Sequence, residues 1–444
     1  MAAEDRKRAI NRLESRKVMR PMVDKMYADG VMAAMEGRPV AWCMVNWWEG
    51  DLILRAMDVT PVYPENYGTV CAADGVAQSY LGGSEVEGFP THLCGYARNT
   101  FGYTAKMKEL GVVPPEAPIG GMPKPTLMMS SGGFCDARYK WFQALRRYWD
   151  VPVWVLEFPH PGPEETFMEG TQEANIKYMV TELRAFVAFL ERLLGKKMDW
   201  DRLSTLLDNQ DQVFQVWWET NELRKAISSP MHARDFWTIM VPCLYESAEK
   251  ESLEGYKQVY GEVKARVDGG IGAVAEEKYR LMFAELPPWH SLNFFDRLAE
   301  RGWNFVVESM GYHPPPPLEL EGGDDPLERI ARWTYWFFIY PLAHAKKKDY
   351  PLVAGAQAYY NWAREYKVDG LLLHPLLTCR TATFWLTHAV NVLRDQLGVP
   401  SIVVQGDIVD VTVFDEAAAL NQAEAFEETM EHYRKARKTQ GLDW

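Results

Sequence analysis

The chain has 444 residues, 47% of them hydrophobic and 25% charged, with a net charge of −13. That length exceeds one ordinary core and that composition is globular, so two or three domains of roughly 100–200 residues each are expected. An acidic balance without a long Lys/Arg run argues against a nucleic-acid or anionic-membrane partner.

The opening stretch MAAEDRKRAINRLESRK is charged and lacks the apolar centre of a signal peptide, which points to the cytoplasm. Apolar runs then alternate with helical periodicity, the pattern of α/β units with parallel sheets. Strands are predicted over 39–46, 60–64, 126–130 and 152–157. From 171 to 194, Ile176, Met179, Val180, Leu183, Val187, Leu190 and Leu194 mark a helix face, with Gly195 placed to cap it. Further helices are predicted over 201–227 and from about 233, with little strand signal before Tyr279. Strands return over 279–286, 304–307, 368–374 and 400–405. The run WTYWFFIYPLAHA at 333–345 is broken by Pro341 and falls short of the ~20 residues that span a bilayer, so core packing is its default reading.

The two halves agree in detail. TLMMSSGGFC (126–135) matches GLLLHPLLTC (370–379), and Trp141 and Trp385 each follow their cysteine by six residues. DVPVWVLE (150–157) matches GVPSIVVQ (398–405). The segments TPVYPE and NFVVES end near Glu65 and Glu308. Cys379 lies 244 positions after Cys135, and Glu308 lies 243 after Glu65. The expected fold is α/β: two doubly wound domains with short parallel four-stranded sheets related by a pseudo-repeat, plus an inserted helical domain. The expected division is a first α/β domain with an N-terminal helix over 1–168, a helical domain over 169–275 and a second α/β domain over 276–444.

On this plan Cys135 and Cys379 each follow a third strand and stand at a helix N-terminus, on the side where open α/β sheets place ligands. Free N–H groups there favour thiolate, which iron and zinc bind. Gly132 and Gly133 would let the backbone approach a ligand closely. Cys94, in FPTHLCGYARNTFGY, sits where a loop enters a helix from about Tyr96. Two ligands from one half and one from the other would leave a fourth metal position open. Core filling is the competing reading for each of the three, and the preferred one for Cys43, Cys71 and Cys243. The six cysteines contain no CxxC pair and form no disulfide framework. His92, near Cys94, reads as an ordinary loop histidine.

Other chemistries lack their motifs. GGIGAVA (269–275) follows a helical rather than a strand pattern, so it is no dinucleotide fingerprint. GxxxxGK[ST], HExxH and GxSxG are absent, which leaves out a phosphate-binding ATPase loop, a zincin and a triad hydrolase of the elbow type.

Five segments resemble the 2-hydroxyacyl-CoA dehydratase and benzoyl-CoA reductase family: VNWWEGDLILRAMDVTPVYPEN (45–66), FPTHLCGYARNTFGY (89–103), SSGGFCDARYKWFQAL (130–145), HPLLTCRTATFWL (374–386) and VQGDIVDVTVFDEAAALNQAEAFEE (404–428). Within it, the chain resembles the larger cluster-bearing subunit of an ATP-dependent benzoyl-CoA reductase. The resemblance implies two α/β domains joined by a helical one. It implies one four-iron four-sulfur cluster on Cys94, Cys135 and Cys379, with an open or non-cysteine fourth site. It also implies a smaller homologous cluster-bearing subunit, an ATP-hydrolysing activator that delivers low-potential electrons, and an acyl-CoA substrate. The missing ATP loop suits that division of labour.

The implied reaction is reduction of the ring of benzoyl-CoA to a cyclic dienoyl-CoA through a ketyl radical anion, in a dry cleft. Dehydration of a 2-hydroxyacyl-CoA by related radical chemistry is the near alternative, and a cluster-bearing electron-relay subunit without a substrate is the distant one. Glu65 and Glu49 are the candidate proton donors, with Glu308 in the pseudo-equivalent place. Each carboxylate has the alternative role of capping a helix or meeting a buried arginine.

Overall fold

The computed structural model describes residues 9–45, 50–132, 135–159, 165–166, 168–309, 323–343, 354–384, 386–442 and 444. Eight short strands form in the eight predicted places: β1 (Val40–Cys43), β2 (Thr60–Val62), β3 (Leu127–Ser131), β4 (Val153–Leu156), β5 (Tyr279–Ala284), β6 (Trp303–Glu308), β7 (Gly370–Leu373) and β8 (Ser401–Val403). They are rich in Val, Leu, Met and aromatic residues. β1, β3, β5 and β7 are buried along their whole length, as parallel strands covered on both faces must be.

All the pairings within these sheets are parallel. The two sheets have the same order, β2-β1-β3-β4 and β6-β5-β7-β8. Trp42 faces Met128 and Met129 faces Trp154 in the first. In the second, Met282 faces Leu371 and Leu372 faces Ile402, with a register slip between Leu281 and Met282 on the β6 side. In each sheet the strand order reverses between the first and third strand, so the crevice at their carboxyl ends is where this topology places ligands. That is where β3 and β7 lead to Cys135 and Cys379.

Among the described residues, four helices separate the sheets in the chain: Thr171–Leu194, Trp200–Leu223, Ala233–Tyr245 and Lys250–Asp268. The first ends at Gly195 in the left-handed conformation (φ 63°), as its sequence suggests. The second stops at Leu223, short of 227, and Arg224 turns inward to a buried partner. The stretch before GGIGAVA is helical to Asp268. The N-terminal segment grips this helical region as well as the first sheet. Leu13 N–H donates to Asp235 (3.0 Å), and Ser15 N–H to Glu262 (2.8 Å).

One continuous buried core runs from the first sheet through these helices to β5 and β6. A smaller one covers the other face of β7 against the helices Ala354–Glu365 and Leu386–Leu397. Residues 333–343 of the aromatic run lie in the Pro326–Ala343 helix, where Trp333 meets Phe214 edge-on at 4.7 Å and Tyr335 and Trp336 are buried. Its last two residues, 344–345, lie outside the described residues. Among the described residues, no helix is long and apolar enough to cross a membrane.

Candidate functional site

Cys94, Cys135 and Cys379 occupy the same local position three times. Each is the N-cap of a helix: Gly95–Leu110, Asp136–Leu145 and Arg380–Thr383 respectively. The first helix starts one residue before the predicted start. No sulfur makes a formed capping hydrogen bond. The amide N–H groups of Ala97, Ala137, Arg138 and Ala382 nevertheless pull the three thiol pKa values down against a larger upward push.

That push is burial. It raises Cys94 well above the ordinary thiol value, and the neighbouring Cys379 and Cys135 raise it further. It raises Cys135 against the opposing Arg138 charge, and takes Cys379 to about 12. The three sulfurs are thus close enough to feel one another's charge. Cys43 in β1, Cys71 in the Pro64–Ala73 helix and Cys243 in the Ala233–Tyr245 helix are buried core residues, as the sequence suggests.

The three cysteines line one cavity of about 280 Å³ between the two sheets and the Ala233–Tyr245 helix. Its walls are mostly apolar and aromatic: Tyr96 and Val45 from the first half, Trp237, Met240 and Leu244 from the middle helix, Leu286 and Trp289 from the second half. Trp289 Nε1 donates to the Tyr96 hydroxyl at 2.7 Å and ties one half to the other. On the opposite side the same three cysteines also line a second cavity with His92, Lys140 and Arg380. The cysteines therefore form a partition between two spaces.

A second tie holds the partition itself. Gly95 N–H, next to Cys94, donates to Thr378 Oγ1 (3.1 Å), next to Cys379. The Thr378 hydroxyl in turn donates to the buried Asp407, which also accepts the N–H groups of Val409 (3.0 Å) and Asp410 (3.1 Å). Gly95 has to be a glycine here. A Cβ would stand 2.7 Å from Asp407 Oδ1.

Glu65 lies not at a strand end but in the first turn of the Pro64–Ala73 helix. β2 closes at Val62, and Pro64 opens the helix at a position that needs no N–H. Its Oε2 accepts Val45 N–H (2.6 Å) and Arg138 (3.2 Å), and it lines the cavity. Arg138 is buried and also donates to Ser131 Oγ at 2.7 Å, which ties the helix that Cys135 caps to the end of β3. Glu308 does end β6, but it forms a two-pronged ion pair with Arg224 in which both side chains are fully buried. The sequence alternative of a carboxylate meeting a buried arginine is realised at both places. Glu49, Gly133 and Trp385 lie outside the described residues. A Cβ at Gly132 would sit 2.3 Å from the Tyr139 hydroxyl, which donates to Glu157, so this close contact requires a glycine.

Glu285 was not singled out by sequence, yet it lines the cavity one residue after β5. It is 1% exposed, and burial raises its carboxyl to about 8. Only its place in the pseudo-repeat, directly after the first strand of the second sheet, could have drawn attention to it. Among the described residues, no three His, Cys, Asp or Glu side chains converge as ligands of a single metal ion.

The profile of the family described as 2-hydroxyglutaryl-CoA dehydratase, D-component, matches residues 51–430. The chain is 24% identical to the (R)-2-hydroxyisocaproyl-CoA dehydratase alpha subunit of Clostridioides difficile, over 95% of this chain and 97% of that one. It is 23% identical to the (R)-phenyllactyl-CoA dehydratase alpha subunit of Clostridium sporogenes, over 96% and 98%. It is 25% identical to a benzoyl-CoA reductase subunit of Thauera aromatica, over 79% of each.

Proposed function

The chain belongs to the 2-hydroxyglutaryl-CoA dehydratase D-component family, and from that membership we propose that it is the iron–sulfur subunit of an acyl-CoA radical enzyme, with benzoyl-CoA reduction as its reaction. The observation that carries the reading is the set of three helix-capping cysteines, drawn from both halves, on the wall of one apolar cavity. In the proposal Cys94, Cys135 and Cys379 hold a four-iron four-sulfur cluster with a non-cysteine fourth position.

The residues present fit such a group. Sulfur donors suit iron, and amides near each sulfur help accept the charge that iron–sulfur clusters carry. Three thiols from both halves on one cavity wall suit a group that takes several thiolates. Because burial holds the thiols protonated, binding would release protons from them. When bound, the cluster supplies single electrons at low potential to the acyl group.

The chain's own residues do the rest. The aromatic and aliphatic walls would exclude water from the space where charge develops and suit an apolar acyl group. Arg138, held by Glu65 and Ser131, offers a fixed positive charge beside Cys135. Glu65 is the proposed acid–base group of the first half, and Glu49 its proposed companion. Reduction of benzoyl-CoA to the cyclic diene takes two electrons and two protons. A homologous cluster-bearing subunit and an ATP-hydrolysing activator are the proposed partners, in line with relatives that are themselves named as subunits. The division at 168/169 and 275/276 is retained as the proposed domain plan.

Dehydration of a 2-hydroxyacyl-CoA is the second reading. It is favoured by relatives of that kind aligning over nearly the whole chain. Anaerobic assay of the complex with benzoyl-CoA and with (R)-phenyllactyl-CoA separates the two. Formation of the cyclic diene is expected, and dehydration without ring reduction would sink the first choice. Iron and acid-labile sulfide should be lost on Cys379→Ser and kept on Cys43→Ser; equal behaviour of the two variants would refute the ligand assignment.

A further inference from the structure

The cavity holds two carboxyl groups in opposite circumstances. Glu65 Oε2 is met by an arginine and a backbone N–H. Glu285 has no cation shifting its proton affinity among the described residues. The Tyr359 hydroxyl donates to its Oε1 at 3.0 Å, while Oε2 is buried without a hydrogen-bond partner among the described residues. A carboxyl oxygen left in that state is unfavourable until something meets it. The backbone is also held in an unfavourable conformation. Glu285 has φ 77°, the left-handed region, fixed by its own N–H donating to Ser309 Oγ at 3.0 Å. Strain of this kind in a non-glycine residue is kept where the surroundings impose it, and it clusters at working sites.

The orphan oxygen belongs to a residue lining the same cavity as the three cysteines. With Oε1 occupied as an acceptor, Oε2 is the atom left to carry a proton. Burial favours the protonated form at neutral pH, and no cation among the described residues reverses that preference.

We propose that Glu285 is a catalytic acid of this site, giving the proton on Oε2 to the acyl group as it takes up an electron. The Oε2–H bond breaks and a bond from that hydrogen to the reduced acyl group forms. The electron comes from the low-potential iron–sulfur donor of the proposed function, on which this assignment rests. The carboxylate left behind keeps the hydrogen bond from Tyr359, and bulk water restores its proton between turnovers. Glu285 thus complements Glu65 from the opposite half: Glu65 is held by Arg138, and Glu285 faces the same cavity without a cation among the described residues.

The test uses the anaerobically purified complex with its partner subunit and activator. Wild type, Glu285→Gln and Glu285→Asp are compared for iron content, binding of benzoyl-CoA and (R)-phenyllactyl-CoA, and turnover. The Gln variant keeps the size and a donor but has no transferable proton. Its iron content should be unchanged, binding and KM should stay within about threefold, and kcat should fall on the order of 10²–10⁴-fold. The Asp variant should recover part of the loss. A Gln variant within threefold of wild-type kcat would overturn the assignment alone. Wild type turning over neither thioester would overturn the functional reading and the assignment with it. Should the Gln variant lose iron, Tyr359→Phe carries the test. Removing the hydrogen bond to the carboxylate should lower kcat about tenfold at unchanged KM, and an unchanged kcat overturns the proposal.

Discussion

Arg380 donates to Asp136 across the cleft at 2.7 Å, and each is the residue directly after a cysteine that caps a helix in its own half. They stand 244 positions apart, the same offset as Cys379 and Cys135. Residues that correspond in the repeat thus face each other over the partition. Their side chains are 73% and 58% exposed, so the pair orients the two helix starts more than it stabilises them.

The first prediction contrasts that pair with Arg224–Glu308. Exposed pairs contribute about 0.2–1 kcal/mol, whereas breaking a buried one costs about 3–5 kcal/mol because a charge is left without a partner. Arg380→Ala should therefore shift the denaturant midpoint slightly, and less at high salt. Glu308→Gln, at a pair with no exposure, should shift it several times further. Equal shifts in the two variants would contradict this account.

The link from Gly95 through Thr378 to Asp407 holds the flanks of Cys94 and Cys379 together. Thr378→Val keeps the shape and every thiol but removes the hydroxyl. Iron retained after anaerobic purification should drop, while Thr378→Ser should keep wild-type iron. Iron content that is insensitive to Thr378→Val would show that the link does not position the cysteines.

Glu285 also predicts a dependence of stability on pH. An ordinary glutamate titrates near 4.5, and this one near 8 in the fold. Between those values the folded chain keeps a proton that the unfolded chain has lost. The stability tied to this group is therefore full below 4.5 and is lost as pH rises towards 8, by on the order of a few kcal/mol. Glu285→Gln lacks this dependence. Its melting temperature relative to wild type should climb from pH 5 to pH 8; a difference that stays flat over that range would place the carboxyl in a polar setting.

Cavity shape supplies a last prediction. Val241, half-buried on the Ala233–Tyr245 helix, lines the apolar space. Val241→Phe narrows it without touching a thiol. Turnover of benzoyl-CoA or (R)-phenyllactyl-CoA should fall on the order of tenfold or more, with iron content unchanged. Turnover of lactoyl-CoA, with its small acyl group, should be less affected. A uniform loss over all three would assign these walls to packing rather than to substrate choice.

All eight strands were legible in the sequence because their apolar runs are short, rich in Val, Leu, Met and aromatic residues, and bounded by Pro, Gly or Asp. Internal comparison of the halves found the repeat, and with it the position of Cys135 and Cys379 after third strands. The helix 171–194 was readable from its apolar face and its glycine cap. Strand ends were less sharp: β2 closes before Glu65, because a proline at Pro64 begins a helix as readily as it ends a strand.

Sequence by itself thus determined the element order, the matching halves and which three cysteines stand at helix starts, since these depend on residue types close along the chain. Tertiary structure alone decided which groups meet. It gave Glu65 and Glu308 their arginines, set the three thiols on one wall, and enclosed Glu285 without a cation among the described residues. Such pairings join residues far apart in the chain, 283 positions in the case of Gly95 and Thr378, and the burial that sets a carboxyl's proton affinity exists only once both halves and the intervening helix have closed around it.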